Sequence, residues 1–210
     1  LRVISKHGSG TDTIDKQAAE ERGIRVVAAV GANAAAVAEQ ALALMLACAK
    51  SVVQLDQRMR AGHWDKATHK NVELEGRTVG VVGLGAIGLR FAKVANAMGM
   101  RVLGFDPYAK ELPAFVQRAD WNAILSESDV ISLHCPLTKE NAHLLNASSL
   151  AECKSGVLIV NTARGGLIDE QALLDAVKSG QVGAAGLDSF AIEPMVHPHL
   201  FHDEPRIVLS

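Results

Sequence analysis

Two side chains with useful chemistry sit just past successive apolar runs. Arg164 follows "GVLIVN" inside "NTARGGLIDEQAL", and Glu193 lies just beyond "VGAAGLD", which closes on Asp188. In an open parallel sheet, ligands bind beyond the carboxyl ends of the strands. An arginine there, with Gly165 and Gly166 behind it to free the backbone, can grip a carboxylate through two parallel N–H donors. The plainer reading is a solvent-facing loop residue. Two consecutive strands thus deliver a cation and a carboxylate to one edge, and the next run, "RIVLS", should deliver a third group at or beyond Ser210.

Between Glu193 and that last run, "EPMVHPHLFHDEP" holds His197, His199 and His202. H-x-H-x-x-H could hold a metal or supply a base. Pro198 interrupts it, however, and no acidic cluster with ligand spacing completes it. The three therefore read as part of a solvated connection, and no metal is expected.

A second constellation is "GVVGLGAIG", which sets Gly83, Gly85 and Gly88 as G-x-G-x-x-G. Alone the pattern is weak, because glycine-rich turns are common. Its context is stronger: the β-rich run "TVGVVG" precedes it, a helical run follows, and the next run, "RVLGFD", ends on Asp106. Gly83 permits a tight turn, Gly85 lets the backbone approach a pyrophosphate, and Gly88 lets helix pack on strand. The helix start at Ala86 and Ile87 offers free N–H groups to phosphate. Asp106 would accept from the adenosine ribose hydroxyls and repel a 2′-phosphate, which favours NAD over NADP. The bland alternative is a structural strand-to-helix turn with a capping Asp.

These groups need a scaffold that brings strand ends together. From residue 76 onward, continuous apolar runs at 78–83, 101–106, 129–134, 156–161, 182–188 and 206–210 alternate with helical stretches such as 86–99. That pattern predicts an α/β fold with a Rossmann-type, doubly wound parallel sheet covered on both faces. Residues 1–30 read as a separate strand–helix–strand piece, and an Ala/Leu-rich helix is expected over roughly 33–60. Its apolar stretch is short and flanked by Glu39, Gln40 and Lys50, so a buried helix is favoured over a membrane span. The chain opens on "LRVIS", a strand already under way, so a fragment is expected at both ends.

Composition narrows the partners. The formal net charge is −2, which gives no basic field for nucleic acid or anionic membrane. Cys48, Cys135 and Cys153 are far apart and form no C-x-x-C, as suits a reducing cytoplasm.

Taken in order, "VISKHGSGTDTID", "NAAAVAEQALALMLA", "GRTVGVVGLGAIG", "GFDPY", "SDVISLHCPLT", "NTARGGLIDEQAL" and "GLDSFAIEP" resemble the signatures of the D-isomer-specific 2-hydroxyacid dehydrogenases. The resemblance runs over essentially the whole chain. It implies that residues 1–30 are the end of an outer, substrate-binding domain and that 31–210 form the NAD-binding domain with its leading helix. Ser9 and Gly10 would meet the substrate and the nicotinamide end. Ala86 and Ile87 would cap the pyrophosphate, and Pro136 would line the cofactor pocket. Thr162, Ala163 and Arg164 would border the nicotinamide ribose, with Arg164 also holding the substrate. Asp188 would bind the carboxamide. Glu193 would partner a catalytic histidine that, in the family, follows a strand like "RIVLS" in a Pro-His pair and is here expected just after Ser210.

The implied activity is hydride transfer between NAD and a small 2-hydroxy or 2-keto acid. A rival from another class is an NAD-sensing regulator on the same scaffold, as in the C-terminal-binding-protein corepressors. A hydroxyisobutyrate-type dehydrogenase fits poorly, because that family starts with its glycine loop and uses a lysine. The Ala/Leu-rich helix carries little polar surface, and in the resembling family this region joins two subunits, so a homodimer is expected.

Overall fold

Strands buried on both faces need apolar residues at every position, and the apolar runs supply them. The computed structural model describes residues 1–8, 10–11 and 13–210, and these described residues form two sheets. The smaller pairs β1 (Val3–Lys6) with β2 (Arg25–Ala28) in parallel, with helix α1 (Lys16–Glu21) between them in sequence. The larger contains β3 (Thr78–Val82), β4 (Arg101–Phe105), β5 (Val116–Arg118), β6 (Val130–Leu133), β7 (Val157–Asn161), β8 (Val182–Leu187) and β9 (Ile207–Leu209). Its seven strands run in the order β5-β4-β3-β6-β7-β8-β9, and every pairing is parallel. The α/β, doubly wound expectation holds.

Because successive strand side chains point to opposite faces, neighbouring residues serve different cores. Val130, Leu158 and Ala184 join a cluster with Leu44 and Met45 of α2 (Ala34–Lys50) and Phe91 and Ala92 of α4 (Ala86–Ala97). Ile131, Ile159 and Ala185 join the opposite cluster. There they meet Ile124 of α5 (Trp121–Glu127), Leu150 of α6 (Ala147–Glu152) and Leu173 of α7 (Glu170–Ser179).

Two expectations change. The single helix over 33–60 is two helices, α2 and α3 (Val52–Arg60), bent by 57°. Between them Ser51 takes φ +49°, and its N–H closes the end of α2 on Ala47 and Cys48. Neither Gly nor Pro marks this break. α2 stays with the sheet, while α3 buries no residue and is tied toward β9 by a 2.7 Å bond from Gln54 to the Pro205 carbonyl. The short edge strand β5 is the other difference: only Val116 of its three residues is buried, too little for an apolar pattern.

No single helix among the described residues is long and apolar enough to cross a membrane. The apolar content of α2 has a local cause, since Ala38, Ala41, Leu44, Met45 and Cys48 are buried in the sheet-facing core. The approach is close: a Cβ on Gly186 of β8 would stand 2.7 Å from the Leu44 Cβ.

At the amino ends of the strands, Asp129 acts as a clamp. Its carboxylate accepts from the Thr78 N–H at 2.8 Å, from Arg77 at 3.2 Å and from Lys154 at 3.0 Å. Burial alone would raise its pKa, but these bonds outweigh it and hold the carboxyl below the usual range. A depressed folded-state pKa adds stability above the unfolded value of about 3.9, and that stability is lost as pH falls through the folded value. Asp129→Asn should therefore cost about 1–2 kcal/mol at neutral pH. In urea denaturation the gap between the two proteins should shrink toward pH ~3; an equal gap at both pH values would contradict the clamp.

Candidate functional site

After β3 the chain reverses at Gly83, where φ is +89° and a Cβ would lie 2.6 Å from the Cys135 nitrogen. A side chain is excluded twice, by conformation and by space. Gly88 lies in the first turn of α4, and its Cβ would lie 2.0 Å from the Gly83 carbonyl oxygen, so helix and turn are in direct backbone contact. Gly85 differs: a Cβ there would meet nothing within 4 Å. It is the N-cap of α4, with no side chain capping the helix, so the first-turn N–H groups at Ala86 and Ile87 stay open to a ligand.

Asp106, just past β4, braces this loop from behind. Its two carboxylate oxygens accept from the Leu84 and Tyr108 N–H groups, each at 2.9 Å. A carboxylate has about four acceptor positions, so capacity remains for ribose hydroxyls.

Past β7, Asn161 folds the turn that carries Arg164. Its side chain accepts from the Ala163 N–H at 3.0 Å and donates to the Arg164 carbonyl at 2.9 Å. Arg164 is half-buried, and its Nη1 donates to the Ala163 carbonyl at 2.6 Å. Gly165 then meets the loop after β8 almost backbone to backbone: a Cβ would stand 2.0 Å from the Phe190 carbonyl carbon. Glu193 accepts from the Phe190 N–H at 2.9 Å, and Glu170 accepts from the Ala191 N–H at 2.8 Å. The loops bearing Arg164 and Glu193 are thus locked together. One strand further, the Ser210 hydroxyl bonds Asp188 at 3.0 Å and its N–H bonds the Leu187 carbonyl at 3.0 Å.

These loops enclose a cavity of about 770 Å³. Among the expected site residues, Gly10, Gly85, Ala86, Ile87, Pro136, Thr162, Ala163, Arg164, Asp188 and Glu193 line it. Gly83, Gly88 and Asp106 shape the wall from behind. Ser9 lies outside the described residues. Lys6, His7, His134, Cys135 and Ser189 also line the cavity and were not anticipated; nor was Asn161, although Asn before a turn is a recognisable signal.

His134 packs on Phe91 with ring centroids 5.0 Å apart and shares a 2.9 Å hydrogen bond with Ser132. Burial pushes its pKa down to about 4, so the imidazole is neutral at pH 7. Its Nδ1 and the Thr162 hydroxyl are buried at this wall without a hydrogen-bond partner among the described residues. Buried polar atoms are normally satisfied, so a wall carrying two such atoms fits a polar ligand. Uncapped helix N–H groups, an open glycine and a carboxylate at the second strand end fit the pyrophosphate and ribose of a dinucleotide.

The three tail histidines lie in the irregular connection between β8 and β9, with His197 and His202 exposed and His199 half-buried. Pro198 does not keep them apart: one nitrogen from each of His197, His199 and His202 lies within 4.8 Å of the others. None lines the main cavity. His199 and His202 border a smaller one, about 350 Å³, with Val53 and Gln57 of α3.

Asp106→Asn should weaken NADH binding and narrow its advantage over NADPH, because one acceptor and the repulsive charge are lost together. Fluorescence titration with both dinucleotides checks this; an unchanged ratio of dissociation constants would assign Asp106 a bracing role only.

Residues 42–210 match the family model for the D-isomer-specific 2-hydroxyacid dehydrogenase NAD binding domain. The chain is 47% identical over 194 residues to a hydroxypyruvate reductase of Thermotoga maritima, covering 92% of this chain and 63% of that protein. It is 43% identical over 197 residues to a D-3-phosphoglycerate dehydrogenase of Archaeoglobus fulgidus, covering 92% of this chain but 37% of that one. It therefore spans less than two thirds of either relative. The crystal structure of the TT0316 protein from Thermus thermophilus superimposes with a TM-score of 0.93 at 40% identity, over all of this chain and 68% of that one. With this match over most of its length, the chain belongs to the D-isomer-specific 2-hydroxyacid dehydrogenases and carries their NAD-binding domain.

Proposed function

We infer that the protein transfers hydride between NAD and C2 of a small 2-hydroxy or 2-keto acid. The observation that supports this most is the shared cavity, which joins the open N-terminus of α4 to Arg164 and Glu193 on interlocked loops. When bound there, NAD supplies the hydride acceptor or donor. Ala86 and Ile87 take the pyrophosphate, Asp106 the adenosine ribose, and Pro136, Thr162, Ala163 and Asp188 the nicotinamide half. Arg164 holds the substrate carboxylate and polarises the C2 carbonyl in the keto-acid direction. Gly10 closes the site from the β1–β2 side, and a role for Ser9 in meeting the substrate rests on the family resemblance alone.

Proton transfer falls to a histidine in the segment after β9. The bonds from Ser210 to Leu187 and Asp188 support this, since they direct the chain that follows to the same strand edge. Glu193 beside that histidine favours its protonated form and raises the pH at which it titrates. In this reading residues 1–30 complete an outer substrate-binding domain, which agrees with their separate two-stranded sheet, and 31–210 form the cofactor domain. The two relatives named above are a reductase and a dehydrogenase, which favours an enzyme over an NAD-sensing regulator. The three cysteines are free thiols, consistent with a cytoplasmic setting.

A panel of 2-keto acids with NADH, followed by NADH absorbance in the full-length protein, tests the reading; no turnover on any of them would favour the regulator. Arg164→Ala should lower turnover and substrate binding together by roughly 30-fold to several thousand-fold, for a lost charged contact of ~2–5 kcal/mol. Glu193→Gln should instead shift the pH–rate profile to lower pH and leave keto-acid affinity at low pH nearly intact. A uniform loss at every pH would place Glu193 in substrate binding.

We also propose a homodimer formed through the region of α2 and α3, where Leu46, Val52, Val53 and Met59 are exposed. Light scattering of the full-length protein at micromolar concentration should give twice the chain mass; a monomer mass would contradict it.

A further inference from the structure

The connection from Glu193 to β9 carries three imidazoles that the dinucleotide cavity does not use. Their ring centroids stand 5.0 Å apart for His197 and His199, 5.8 Å for His197 and His202, and 5.9 Å for His199 and His202. One nitrogen from each lies within 4.8 Å of the others, closer than any pair of centroids. The three nitrogens are thus near enough to one another for side-chain rotation to bring them onto one ion. The rings do not stack: both pairs that include His202 are nearly perpendicular, at 88° and 89°.

The geometry points to a binding site for a divalent d-block cation, with Zn²⁺ the simplest occupant, held by His197, His199 and His202. Neutral imidazole is a borderline donor that suits Zn²⁺, Co²⁺, Ni²⁺ or Cu²⁺ and discriminates against Ca²⁺ and Mg²⁺, which take oxygen ligands. Zn–N bonds of about 2.0–2.1 Å place nitrogens roughly 3.4 Å apart around a tetrahedral ion. The set must contract by about 1.4 Å at its widest from the 4.8 Å spacing, within reach of side-chain rotation because His197 and His202 are exposed. His199 is half-buried, and its Nδ1 accepts a 3.2 Å bond from the Phe201 N–H. That bond puts the ring proton on Nε2. Coordination either takes Nδ1 in place of the bond or moves the proton to Nδ1 and breaks it; one long hydrogen bond is exchanged in both cases. The fourth position falls to water or to Asp203, whose carboxylate stands 4.0 Å from the His202 Nε2. A bound ion would join the start of the connection, at His197, to the turn entering β9, at His199 and His202. The site is separate from the cofactor cavity and does not depend on the hydride-transfer reading.

The test uses untagged full-length protein stripped of metal by a chelator. Zn²⁺ affinity is measured by competition with a chromophoric chelator, and Co²⁺ serves as a spectroscopic stand-in. One Zn²⁺ per chain should bind, and Co²⁺ should give the intense visible bands of a four-coordinate site. H199Q and, separately, H202N should each weaken Zn²⁺ binding at least ~100-fold, the upper range for loss of a mere outer partner of a metal ligand. H202N changes an exposed side chain, so it keeps the test valid if H199Q unfolds. Excess Ca²⁺ or Mg²⁺ should not displace the ion. Stoichiometric Zn²⁺ binding that survives in H197N/H199Q/H202N would place the ion elsewhere and overturn the proposal, as would no binding by the unmutated protein, or displacement by Mg²⁺.

Discussion

Everything at the site depends on the parallel pairing of the larger sheet. In a parallel ladder all carboxyl ends emerge on one edge, so residues distant in sequence converge there. The glycine loop follows β3, Asp106 follows β4, Cys135 and Pro136 follow β6, Thr162 to Arg164 follow β7, Asp188 follows β8, and Ser210 follows β9. Reversing any one strand would send its group to the far edge, across the whole sheet. The opposite edge carries the Asp129 clamp, so stabilising polar contacts and functional groups occupy different ends of the same strands.

Convergence at the resolution of a strand is coarser than catalysis needs, which is about 0.5 Å. Backbone contacts supply the remainder. Gly83 and Gly88 let the turn after β3 touch both the Cys135 backbone and α4, and Gly165 lets the loop of Arg164 rest on the Phe190–Ala191 peptide. A Cβ at 2.0 Å from a carbonyl carbon is not a tolerable contact, so any side chain at 165 would separate the loops that carry the cation and the carboxylate. The hydrogen bonds of Asn161, Glu170 and Glu193 then hold those loops in register.

The cavity wall also keeps its charges selective. His134 is buried enough to remain neutral, so it presents a dipole and not a cation at the cavity wall. Asp106 spends part of its acceptor capacity on the Leu84 and Tyr108 N–H groups, which fixes the shape of the glycine loop. The tail histidines belong to neither role, and they cluster on the side of β9 that faces α3.

The elements legible in the sequence were those governed by short-range pattern. Continuous apolar runs specified six strands of the large sheet, because burial on both faces requires apolar residues at consecutive positions. The glycine spacing specified the turn, and the position of Arg164 and Asp188 after such runs specified their edge. Three features were decided only by the tertiary structure. The break at Ser51 has no local signal; α2 stays buried up to Ala49, and α3 turns away with Gln54 bonded to the Pro205 carbonyl before β9. His134 became part of the cavity wall through burial, which spacing does not reveal. The tail histidines met because the connection folds back between β8 and β9, whereas in sequence Pro198 appeared to divide them. Spacing along a chain reports which residues share a strand or a helix turn. Which irregular segments fold back on themselves depends on where their two anchoring strands lie, and that is a property of the whole sheet.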